Sequence, residues 1–459
     1  MNHPSSAHPD PYHLDPGNVA EPPRNLLSIL RQIGPGIVLA GSIVGSGELI
    51  AVPTLGAEVG YTALWIILLS CAIKPLVQAE LGRYSLVRGE TALAALNRVP
   101  GPRWRVGWVV WGWGVMVLLT QLQVGAMYGG LAMVMRLIQP WGEESFWVLL
   151  VMALTIGLLW RGAYQRIESL SVVMVALFTA STAAAAWVLT RQPEYFSWAQ
   201  LSEGLQPRLP KSELVTAMAV FGITGVGATE LFAYPYWCLE KGYARNVGPC
   251  TDDSAWRRRL EGWNRVMRVD VYFSVLVYTV ATLAFYLLGA GILHGKGLSP
   301  SQGDMISVLS NLYTQTLGDW ARWLFFFGAI AVLYSTIFSA TAAHSRMFAD
   351  MARLTGCFEA TDFRSRERYT RGFLLLLTFG PALLYLLVRA PVWMVLAGGV
   401  AQSAMLPVIA LGTVYLSARH LPDSSRPGWF VRAALWIAAL VITAVVGCSF
   451  LLSLLKQMG

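Results

Sequence analysis

Charged residues are scarce in this 459-residue chain: Asp, Glu, Lys and Arg make up 13% of it, against roughly 25% in soluble proteins. With 55% hydrophobic residues and a mean hydropathy of +0.52, that charge is too sparse to cover a soluble surface, and the chain belongs in a bilayer. Cysteine is sparse as well. The five, Cys71, Cys238, Cys250, Cys357 and Cys448, form no CxxC and no zinc spacing, so neither a disulfide framework nor a structural metal site is expected. Residues 1–24 lack the basic start and apolar stretch of a signal peptide, and the polar segment 1–30 reads as a disordered cytoplasmic tail. No HExxH motif, paired aspartates or Ser/His constellation stands out on the apolar runs, which argues against an intramembrane enzyme. No cofactor is implied. No loop is large enough for a soluble catalytic domain, so function must sit inside a helical bundle.

What is present is a series of apolar runs. A spanning helix needs about 20 mostly apolar residues, and such runs fall at 34–57, 61–83, 107–136, 146–160, 169–190, 213–239, 269–293, 320–345, 371–388, 391–418 and 429–455. The expectation is an all-α membrane protein of about 11 transmembrane helices. The formal charge of +8 does not call for nucleic acid, because the basic residues lie in short loops between these runs. With the N-terminus inside, 25 of the 34 Lys and Arg are cytoplasmic, eight are outside and Lys74 lies within a span. An excess of that sign predicts a cytoplasmic N-terminus and an external C-terminus in the cell inner (cytoplasmic) membrane.

Two spans carry their own interruption. The first has Gly41, Gly45 and Gly47 near its middle, with Glu48 beside them and Pro53 further on. Glycine costs about 1 kcal/mol per helical position and proline about 3, so the cluster favours an unwound stretch whose freed carbonyls need a cavity or a partner. An acid there costs on the order of 3 kcal/mol on insertion scales and generally marks a site; Glu48 is the leading candidate. The sixth span repeats the pattern, with Gly222, Gly225 and Gly227 ahead of Glu230 and Pro235. Two broken segments five helices apart are what an inverted 5+5 repeat produces, with the site where the halves meet. The repeats are expected at 31–190 (helices 1–5) and 213–418 (helices 6–10), followed by an additional helix 11 at 429–455. Hydroxyls and an imidazole on the eighth span, Ser335, Thr336 and His344, and Gln402 on the tenth, are candidates for a polar lining or relay, although such hydroxyls often only bond back to their own helix.

Taken in order, these residues resemble the NRAMP family of divalent-metal transporters, whose fold is LeuT-like. The resemblance runs through GPG at 34–36, the Gly60–Tyr61 pair, ELGRYSLVRGET at the end of the second span, GAT at 227–229, the STxxxxxAxH stretch at 335–344 and LP at 406–407. Counting back from Gly60 puts Gly45, Ser46, Gly47 and Glu48 in the places of the family's Asp-Pro-Gly-Asn signature, so the metal-binding aspartate is replaced by Gly45 and the asparagine ligand by Glu48. A literal DPGN at Asp15–Asn18 lies in the polar tail and is treated as coincidence. The resemblance further implies a backbone carbonyl ligand at Ala228, and places Leu231 where the family uses a methionine thioether.

Loss of that soft sulfur together with an added carboxylate favours Mg, Ca or Mn over Fe or Cd, as in the magnesium-transporting branch related to this family. The acids that the family carries in its third span are replaced by Gln121 and Gln123, which argues against proton coupling. The sequence therefore predicts a monomeric secondary transporter for a hard divalent cation, working by alternating access, with Gly45, Ser46, Glu48, Ala228, Glu230 and Leu231 around the metal. A carrier of a small organic cation or amino-acid-like solute on the same scaffold is the second reading, because fold does not fix function.

Overall fold

The computed structural model describes residues 12, 14, 17, 19–36, 41, 44–160, 164–210, 212–300 and 304–458. Helix falls in each of the eleven apolar runs. The first continues from a π-helical turn at Gly47–Ala51 into α1 (Val52–Val59), and then come α2 (Leu64–Arg88), α3 (Trp108–Ile138), α4 (Glu144–Trp160) and α5 (Tyr164–Leu189). The second series is α6 (Leu214–Ile223), α7 (Ala228–Glu240), α8 (Ser254–Leu288), α9 (Ala321–Leu354), α10 (Phe363–Val388), α11 (Pro391–Arg419) and α12 (Trp429–Met458). Eight helical runs among the described residues are long and apolar enough to cross a membrane, with Gly47–Arg88 counted as one and Glu144–Trp160 and Val173–Leu189 falling short. At 1.5 Å per residue the 17 residues of α4 reach roughly 26 Å, less than a hydrocarbon core of about 30 Å. A small antiparallel ribbon, Arg103–Trp104 with Val106–Gly107, sits between α2 and α3 and is the only sheet among the described residues.

The centre of the bundle is built on α11, which packs against both α3 and α6, while α8 runs beside α2. The sixth span is broken where the glycines predicted. Helix α6 ends at Ile223, Thr224 turns extended at ψ 157, and Gly225 takes φ +66, a conformation that disfavours any side chain. Gly227, again extended, opens α7. In the first span a turn at Val44 and Gly45 precedes the π turn. Residues 37–40 and 42–43, the upstream part of that predicted break, lie outside the described residues.

The GPG at 34–36 has a physical partner that the sequence does not announce. The buried carboxylate of Asp270 on α8 accepts from Gly34 N–H (3.0 Å), Gly36 N–H (2.6 Å) and the Tyr234 hydroxyl (3.0 Å), tying the entry of the first span to α7 and α8. Replacing Asp270 by Ala orphans three donors, each costing about 1–3 kcal/mol if it stays buried. A fall in the thermal midpoint of the purified protein is therefore expected, and an unchanged midpoint would contradict this anchoring role.

Of the expected tail, residues 1–11, 13, 15, 16 and 18 lie outside the described residues. Within the described part, Ala20 N–H donates to Asn246 O (3.0 Å) and Ala20 O accepts from the Trp263 indole (2.9 Å), and a short helix covers Leu26–Leu30.

Candidate functional site

Beside the break in the sixth span lies a cavity of about 30 Å³ lined by Ser46 and Gly47 of the first span, Thr120, Gln123, Val124 and Met127 of α3, Ile223 of α6, Thr229 and Glu230 of α7, Thr336, Ala340 and His344 of α9, and Gln402 of α11. Five spans converge there, and small residues let the backbones approach: a Cβ added at Gly222 would come within 2.2 Å of Gly399 O on α11.

A continuous polar chain crosses the cavity. The Gln123 amide donates to Ser46 Oγ (3.0 Å), and the Gln402 amide donates to Gln123 Oε1 (2.9 Å). Gln402 Oε1 accepts from Thr229 N–H (3.3 Å) and lies 3.1 Å from Thr229 Oγ1, which donates to Glu230 Oε2 at 2.7 Å. Oxygen atoms from four spans are thereby oriented around one small space. Glu230 is its only carboxylate among the described residues, placed in the first turn of α7, where the helix dipole favours a negative charge. His344 adds an imidazole whose Nδ1 is buried without a partner. No group of three or more His, Cys, Asp or Glu that could hold a metal is found among the described residues, so any cation here would rest on one charged group and several neutral donors.

The sequence candidates divide between this cavity and its surroundings. Ser46, Glu230, Thr336, His344 and Gln402 line it; Gly45, Glu48, Ala228, Leu231 and Ser335 do not. Glu48 is fully buried, with Oε1 accepting from Thr282 on α8 at 3.2 Å and Oε2 without a protein partner. It lies within the π turn rather than in regular α-helix. The Gly45 carbonyl accepts Leu49 N–H (2.9 Å). Ala228 and Leu231 are buried on α7, and Ser335 bonds back to Val332 O at 3.0 Å. Thr336 also bonds back to Val332 O (2.9 Å), yet borders the cavity.

Sequence reasoning missed Gln123, Thr229 and Met127 as lining residues. Gln123 carries a signal in the sequence, an amide in the middle of an otherwise apolar span. Met127 means that a thioether-bearing residue borders the cavity from α3, although position 231 holds leucine.

A helical membrane protein with a broken sixth span, and with polar groups gathered at the break, falls in the LeuT-like class. Its backbone matches a manganese transporter of Eremococcus coleocola with a TM-score of 0.68 at 17% identity, over 95% of this chain and 90% of that one. It also matches MhsT, solved with L-phenylalanine, with a TM-score of 0.54 at 15% identity, over 94% and 99%. The chain belongs to the Nramp (natural resistance-associated macrophage protein-like) family, whose profile matches residues 36–452. That family is one of membrane carriers, not of enzymes.

Among curated relatives, the chain is 28% identical over 304 residues to the divalent metal cation transporter MntH of Mycobacterium tuberculosis, covering 65% of each chain. It is 26% identical over 319 residues to MntH of Deinococcus radiodurans, covering 69% of this chain and 67% of that one. The chain thus spans about two thirds of the length of the curated relatives it matches.

Proposed function

We propose that this protein is a secondary transporter that carries a hard divalent cation, manganese or one of similar character, by alternating access around the break in the sixth span. The observation that carries this reading is the cavity itself. At about 30 Å³ it has room for an ion with one or two waters, since a water needs roughly 10–15 Å³ on the same measure. Pockets for small organic ligands run to about 300–1,000 Å³, so an amino-acid-like solute is disfavoured. Its donors are mainly oxygens, with a single carboxylate, and such a set suits Mg, Ca or Mn. The relatives described as divalent metal cation transporters support the same cargo class.

In this reading Glu230, Ser46, Gln123, Thr229 and Gln402 contact the partly hydrated ion, and Glu48 stands against Thr282 outside the cavity lining. The repeats, 31–190 and 213–418, each contribute helices to the moving bundle, with the additional helix at 429–455 outside it. The protein works as a monomer in the cytoplasmic membrane, with its N-terminus inside and its C-terminus outside, as the distribution of Lys and Arg supports. Gln121 and Gln123, where the third span would need acids, support transport without proton coupling.

A proteoliposome uptake panel of Mn, Mg, Ca and Cd, with and without a pH gradient, tests the reading. Manganese uptake that exceeds cadmium uptake and ignores the gradient is expected. Cadmium uptake equal to that of manganese would contradict the hard-ion assignment and point to Met127 as a sulfur ligand. Uptake of an amine or amino acid with no metal flux would select the organic-solute reading instead.

A further inference from the structure

Lys74 is fully buried in the middle of α2 and belongs to none of the groups described above. Its Nζ donates to the carbonyl oxygens of Phe221 and Thr224, the latter at 2.8 Å, where α6 ends and its last carbonyls lack intrahelical donors. The ammonium also stands 4.8 Å from the centre of the Phe221 ring, within cation–π range. Ser70, one turn earlier on the same face of α2, braces the same helix end: its hydroxyl donates to Thr224 O at 3.0 Å and accepts from Thr224 Oγ1 at 3.0 Å. The partners of Lys74 are thus carbonyl oxygens rather than carboxylates.

A helix C-terminus concentrates about half a negative charge on its unsatisfied carbonyls. Carriers built from broken helices use such ends, with neighbouring hydroxyls, to hold a monovalent cation. Here that position is filled by a compact ammonium on a four-carbon stem.

We propose that Lys74 is a built-in monovalent cation: its ammonium occupies a carbonyl cage at the end of α6 that would otherwise bind a free sodium or small ammonium ion. Two consequences follow. Cargo movement needs no sodium, because the cage is never vacant. Helices α2 and α6 are held together as one body by a bond that does not dissociate with the transport cycle.

The test removes the tethered charge and offers a free one. Purified wild-type and Lys74→Ala protein are compared by thermal midpoint in choline, sodium and ethylammonium chloride at equal ionic strength. The wild-type midpoint is expected to be the same in all three. The Ala variant should lose several degrees in choline and recover at least half of the loss in sodium or ethylammonium, as binding to the folded state alone requires. Equal destabilisation in all three salts would overturn the proposal.

If the Ala variant does not fold, Lys74→Met decides, since it fills the stem volume without the charge. A Met variant as stable as wild type would overturn the proposal, whereas one that is lost or strongly destabilised supports the need for a cation. Because the readout is stability, it does not depend on which cargo is carried, and its failure would leave the metal reading standing.

Discussion

Replacing Glu230 by Gln is expected to weaken manganese binding by roughly 30-fold or more, because truncating one partner of a buried charge interaction costs about 2–5 kcal/mol and each 1.4 kcal/mol is tenfold. Among the described residues Glu230 is the only carboxylate on the cavity lining, and the remaining donors are neutral. Gln keeps the volume and an oxygen, so the packing of α7 should survive. The loss of an acid in the first turn costs only about 0.3–1 kcal/mol through the helix dipole. The expected result is therefore a large fall in uptake with a small fall in thermal midpoint. Glu230→Asp should retain part of the activity. If Glu230→Gln transported normally and Glu48→Gln did not, the charged ligand would be Glu48, and the site would lie on the α8 side of the break.

Two glycines in one short segment should respond in opposite ways to the same added methyl group. At Gly227 a Cβ would stand 2.3 Å from Glu230 Oε2 and 2.6 Å from Gln402 Oε1, both at the ends of side chains that can swing aside. Gly227 is in extended backbone that alanine also adopts, at φ −69 and ψ 166. Gly227→Ala should thus fold nearly as well as wild type while displacing the carboxylate and breaking the Gln402–Thr229 link, with uptake reduced by about tenfold or more, the effect of losing one well-made charged contact. At Gly222 the Cβ would meet Gly399 O at 2.2 Å and Ser403 N at 2.8 Å, which are backbone atoms of α11 and cannot yield alone. Gly222→Ala should cost about 1–3 kcal/mol of stability by overpacking, seen as a lowered midpoint and poor recovery of folded protein. If both variants lost stability equally, the distinction between a packing glycine and a site glycine would fail.

The scaffold was legible because the bilayer imposes simple rules. Runs of about 20 apolar residues become helices, and all eleven predicted runs carry helix. The lengths were less readable. The seventh run, expected at 269–293, continues from a helix that starts at Ser254, because Arg257, Arg258, Arg259, Arg265 and Arg268 extend it beyond the apolar core, where hydropathy gives no signal. The break in the sixth span was readable from glycine chemistry alone. The division of labour within it, Gly222 for packing, Gly225 for the turn and Gly227 beside Glu230, needed coordinates.

The side chains around the break were the least legible part. Glu48 lies in a π turn, which no periodicity rule anticipates, and meets Thr282. The Gln123–Gln402 and Lys74–Thr224 hydrogen bonds join residues 279 and 150 positions apart, and Asp270 reaches Gly34 across 236. One sequence shows which polar residues are costly to bury in a membrane. It does not show which of them meet.

The most direct measurement is anomalous scattering from crystals of the protein soaked in manganese. The account predicts a manganese peak in the space bordered by Glu230, Thr229, Gln123 and Ser46, within coordination distance of the Glu230 carboxylate and absent in Glu230→Gln. A peak beside Glu48 and Thr282, or a peak unchanged in Glu230→Gln, would contradict it.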